Sequence, residues 1–98
     1  MNTLVIPIRS AVDFELVKQF IETNLHHTFS WTNIKSLFFE KDNATFSTSA
    51  MCDAIAVDSE YPYPVKLDSI RADKTTQYKE IEPDVQQLYQ HVAWVNAA

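Results

Sequence analysis

The chain has 98 residues, 46% of them apolar, with a formal net charge of −5, which fits one small acidic domain able to build its own core. It contains no glycine, where average usage would give about seven. That excludes phosphate loops of the Gly-Lys-Ser/Thr type, dinucleotide fingerprints and glycine-rich lids, and leaves turns of positive φ to Asn24, Asp42, Asn43 or Asp58.

Thr3 to Ile8 is β-branched and apolar and predicts a first strand. Ser10 is an N-cap with Asp13 three residues on, a capping-box variant. Phe14, Val17, Ile21 and Leu25 then recur at spacings of three and four, flanked by Leu16 and Phe20, which predicts an amphipathic helix over 11–25. Phe29 to Glu40 fits either a helix, through Trp31, Ile34, Leu37 and Phe38, or a strand, through its aromatic and β-branched content. The polar cluster Glu40-Lys41-Asp42-Asn43, followed by Ala44-Thr45-Phe46-Ser47-Thr48, favours a hairpin and therefore strands.

Met51 to Val57 is a short apolar run, read as a strand extension or a helical turn. Tyr61-Pro62-Tyr63-Pro64 cannot be helical and lacks two backbone donors, so it is extended and exposed on at least one side. Val65 to Ile70 reads as a strand, and Tyr78 to Ile81 as a short edge strand. Pro83, beside Glu82 and Asp84, opens a last helix over 83–96. Its buried stripe is Val85, Leu88, Val92 and Val95, with Tyr89 beside it and Trp94 at the flank. The expected architecture is a single α+β domain over 1–98: a small, mostly antiparallel sheet packed on one face by two helices, in the order β-α-β-β-β-α.

No apolar run approaches the roughly 20 residues of a membrane span. Leu4-Val5-Ile6 is broken by Pro7 and followed by Arg9, the reverse of a secretory signal. The single Cys52 allows no intrachain disulfide. These features point to the cytoplasm, where the Asn43-Ala44-Thr45 sequon is a chance match.

Charge is uneven. Residues 1–50 hold five acids and four bases; residues 51–98 hold eight acids and four bases. A negative second half opposes a phosphate backbone and suits a basic protein surface. Candidate chemistry is sparse. His26 and His27 are adjacent, so their side chains diverge, and a zinc set would need His91, Cys52 or a distant acid. They read as a helix C-terminal pair facing the negative dipole end. Cys52 has Asp53 beside it, which raises a thiol pKa, so it reads as inert. The acids Asp53, Asp58, Glu60, Glu80, Glu82 and Asp84 show no loop pattern for calcium. No catalytic residue, metal or cofactor is assigned.

The string Tyr61-Pro62-Tyr63-Pro64 offers pre-ordered backbone and large contact area. The expected binding residues are accordingly Tyr61, Tyr63, Asp58, Glu60 and Trp94. The expected function is a non-catalytic, acidic protein-binding domain of the inhibitor, immunity or adaptor type, such as phages and mobile elements carry. Its partner is another protein or a second copy, not nucleic acid or membrane. The alternative is a small homodimeric enzyme or ligand-binding domain with a pocket between sheet and helices, for which His26, His27, His91, Tyr61, Tyr63, Cys52 and Arg71 are the residues to inspect.

Overall fold

A computed structural model describes residues 2–24, 30–38, 52–58, 61–75 and 77–96. The expected turn at 40–43 and its second strand at 44–48 lie outside the described residues, as do His26, His27 and Glu60. The elements are β1 (Thr3–Pro7), α1 (Ala11–Asn24), α2 (Trp31–Lys35), β2 (Ala54–Val57), β3 (Pro62–Val65), α3 (Leu67–Ala72), β4 (Tyr78–Glu80), α4 (Val85–Gln90) and α5 (Val92–Asn96). The class is α+β, with a four-stranded mixed sheet in the order β3-β2-β1-β4. β1–β2 and β2–β3 are antiparallel, and β1–β4 is parallel.

Alternation along the strands divides the core in two. Leu4, Ile6, Ile55 and Val57 face α1 and join Phe14, Val17, Phe20, Ile21, Leu88 and Val95. Val5, Ala54 and Ala56 face the other way, where Tyr63, Val65, Leu67, Ile70 and Tyr78 pack on them. The sheet is thus covered on both faces, not one. The small side chains of Ala54 and Ala56 let α3 lie close, and Arg71 on α3 grips both carboxylate oxygens of Glu80 on β4.

Three local expectations are corrected. First, Trp31–Lys35 is helical, not a strand. Trp31 and Phe38 both pack on Phe14, with ring centroids 5.9 and 5.7 Å away. The helical spacing of the aromatics prevails over their β propensity because α1 offers them a common anchor.

Second, the strand expected over Val65 to Ile70 stops at Val65. The Asp53 carboxylate accepts the Leu67 N–H at 2.8 Å, capping α3 from the position just before β2. The Asp53 N–H donates to the Val65 carbonyl at 3.1 Å. Because Ala54 is the register partner of Val65, two β2-side residues face one on β3. The regular ladder therefore ends at Val65, where the chain turns into α3.

Third, the last helix is two short ones, broken at His91, whose backbone has φ −103° and ψ 2°. The first of them opens at Val85 rather than at Pro83, behind an Asp84 N-cap whose side chain accepts the Gln87 N–H at 3.1 Å. Val85 leaves the expected buried stripe and is 56% exposed, and Leu88 is the buried residue of α4.

The start of α1 follows the sequence closely. Ser10 Oγ accepts the Asp13 N–H, and the Asp13 carboxylate reaches back to the Arg9 N–H at 2.9 Å. Among the described residues no helix is long and apolar enough to cross a membrane.

Candidate functional site

Of the expected binding residues, Asp58, Tyr61 and Tyr63 gather where β2 leads into β3, but most have structural duties. Asp58 follows β2, is buried, and accepts the Tyr61 N–H at 3.0 Å, an Asx-type bond that shapes the approach to β3. Tyr63 is half-buried on the α3 face. Burial, then the Asp58 charge, raises its phenol above the ordinary value, while a hydrogen bond with Thr3 pulls the other way. Tyr61 is 50% exposed, with its ring 5.8 Å from that of Tyr63. Trp94 lies on the opposite side of the sheet, half-buried against the main core. Its carbonyl accepts from Asn2 Nδ2 at 2.6 Å, and Lys79 Nζ stands 4.6 Å above its ring. Of the four described candidates, Tyr61 alone presents a large free surface.

The groups of the enzymatic alternative are no better placed. Cys52 is buried, with its thiol 3.6 Å from the Leu37 carbonyl. Burial, reinforced by Asp53 and only partly opposed by Lys66, pushes its pKa up to about 11. A thiolate is needed for nucleophilic or redox work, and this site disfavours it. His91 Nδ1 lies 2.7 Å from the Gln87 carbonyl, one turn back on its own helix. Among the described residues no three His, Cys, Asp or Glu side chains group as a metal site. The space between sheet and α1 is filled by Leu4, Ile6, Phe14, Val17, Ile21 and Ile55, all fully buried.

The sheet edges are blunted, each by a different device. In β3 the carbonyl of Val65 points at β2. The pleat then directs Tyr63 toward β2 as well, and Pro62 and Pro64 outward. The prolines therefore leave the β2 ladder intact and remove two donors from the free edge. The other edge, β4, is three residues long and carries Lys79 and Glu80. Pro7 in central β1 obeys the same geometry. Ile81 N–H bonds the Val5 carbonyl at 3.0 Å, so odd positions of β1 face β4. Pro7 sits beyond its last paired residue, Glu80.

What stays open is a helical face. A shallow groove of about 440 Å³ runs between α1 and α4, lined by Ala11, Val12, Glu15, Leu16, Gln19 and Val85. Val12 is 74% exposed. Tyr89, 48% exposed, extends the apolar surface along α4 with its ring 5.3 Å from Phe20. Charges surround the groove. Glu15 and Glu22 are exposed on α1, and Glu82 and Asp84 lie at the head of α4. Arg9 grips Glu82 through two hydrogen bonds, which hold the Glu82 carboxyl below the ordinary carboxylate range. Lys35 Nζ lies 3.4 Å from Glu15.

Sequence reasoning missed this groove. The sequence period places Val85 in the buried stripe of the last helix and Val12 outside the stripe of α1. The available signal was Val12 and Leu16 at i and i+4, offset from the Phe14–Val17–Ile21 line and so forming a second apolar flank. Compared with family models, curated proteins and solved structures, the chain matches none of them.

Proposed function

We propose that this chain is a small non-catalytic domain that binds another protein, and that it does so through α1 and α4. The observation that carries this reading is the exposure of Val12, Val85 and Tyr89 on one helical face. Large apolar side chains grouped at a groove favour a partner more than the same residues scattered singly. The blunted edges of β3 and β4 support it further, since strand addition is the main competing route to association. The buried, protonated thiol of Cys52 fits a domain without nucleophilic chemistry. The acidic composition suits a basic partner, and the lone Cys52 suits a reducing compartment such as the cytoplasm.

The test is affinity capture from the cells that naturally make the chain. Wild type is compared with Val12→Asp/Val85→Asp, whose exposed positions leave the core untouched. The reading expects one protein recovered stoichiometrically with wild type and lost with the double variant. Recovery of no stoichiometric protein with folded wild type overturns it.

A further inference from the structure

We infer that residues 78–96, which span β4, α4 and α5, form a strap that opens from the domain as one unit while α1 and the β1–β2 ladder stay folded. The strap gains little from its own local structure. β4 has three residues, α4 six and α5 five, and helices shorter than about 12 residues are marginal in water without tertiary support. Its order therefore depends on docking. Its buried apolar side chains are Ile81, Leu88 and Val95, three of 19 residues, against eight of 23 in residues 2–24. Each ordered residue costs a similar conformational entropy, so docking holds the strap less firmly than burial holds β1 and α1.

The outer attachments add little. Arg9 and Arg71 grip Glu82 and Glu80 of the strap, but both arginine side chains are more than half exposed, where solvent screens an ion pair. The two ends of the strap are tied to each other, which makes it one unit. Lys79 on β4 stands over the Trp94 ring on α5, and Ile81, Leu88 and Val95 enter the same core cluster. Opening takes the Ile81 N–H from the Val5 carbonyl and bares the outer edge of β1. With the β3 edge blunted by its prolines, the strap is the cover over an adhesive sheet edge. Val85 and Tyr89 ride on the strap, so the α1–α4 groove exists only while it is closed.

The test is amide exchange of the full chain, followed residue by residue by NMR at low denaturant, where the rates report opening equilibria. The amides of Ile81, Leu88 and Val95, together with that of Val5, which faces β4, should share one opening constant. That constant should be at least about tenfold larger than for the β1–β2 ladder at Ile6 and Ile55. Ile55→Val then separates strap from body, because β2 is parted from β4 by β1. It should speed the ladder amides about two- to tenfold and leave the strap amides unchanged. Strap amides that quicken by the same factor as the ladder overturn the inference, because the strap then opens only with the whole domain. Exchange graded along the strap, fastest at Val95 and slowest at Ile81, also overturns it, because the chain then frays from its end.

Discussion

Replacing Pro62 and Pro64 together by valine should convert a closed sheet edge into an adhesive one. Both prolines point away from β2, so the substitution restores two outward N–H groups without touching the ladder to Ala54 and Ala56. Two such edges meeting antiparallel about Tyr63 would exchange four hydrogen bonds between positions 62 and 64 of the two copies. At about 0.5–1.5 kcal/mol net each, they supply about 2–6 kcal/mol. The facing Tyr63 pair adds up to about 1 kcal/mol. Association costs at least about 4 kcal/mol, so pairing should be weak. Subtracting that cost leaves at most about 3 kcal/mol, a Kd of several mM, so the assay is light scattering over a concentration series that reaches about 5 mM. Wild type should keep one mass throughout, while the variant's mass climbs with concentration. Its melting temperature should also fall, because each lost proline frees the unfolded chain by about 0.4–1 kcal/mol. New N–H groups at 62 and 64 that exchange as slowly as the ladder donors of β2 in the folded monomeric variant would refute the assignment of the prolines to the outer edge.

Three further outcomes follow from the core and its caps. Cys52 should resist alkylation by iodoacetamide near pH 8 in the folded protein and react on unfolding. Its folded pKa of about 11 lies above the ordinary 9.0, so the unfolded chain loses this proton first. Stability should therefore decline between about pH 9 and 11, by up to about 3 kcal/mol, and Cys52→Ala should remove that slope in urea titrations. Asp53→Ala should cost about 1–2 kcal/mol by the same titrations, through loss of the cap on Leu67, with Asp53→Asn recovering part of it; an unchanged midpoint contradicts the capping role. Phe14→Ala should cost about 3–5 kcal/mol and release α2, seen as faster amide exchange in residues 31–38. Normal protection there would contradict the aromatic anchor.

The sequence made legible what local rules govern. The Ser10–Asp13 cap and the Phe14–Val17–Ile21 stripe depend on neighbours within one or two turns, and they appear nearly as read. The Pro62–Pro64 segment was legible as extended and one-sided, because proline geometry is intrinsic. What could not be read depended on distant partners. Trp31 is helical because Phe14, seventeen positions earlier, receives its ring. The chain turns into a helix at Leu67 because Asp53, fourteen positions earlier and just before β2, caps it. The candidate binding residues show the same limit. Asp58 and Trp94 were chosen for chemical type, but one shapes a turn and the other closes a core flank. Val12 and Val85 are plain aliphatic side chains, whose interest arises only from the placement of α4 beside α1.

In the proposed function the helical face, and not the sheet, meets the partner. Amide hydrogen exchange of the chain, alone and in complex with the captured protein, distinguishes the two surfaces. New protection is expected in residues 11–24 and 85–90, with 62–65 unchanged. Protection confined to the β3 or β4 edge, with α1 and α4 exchanging as in the free chain, would contradict it.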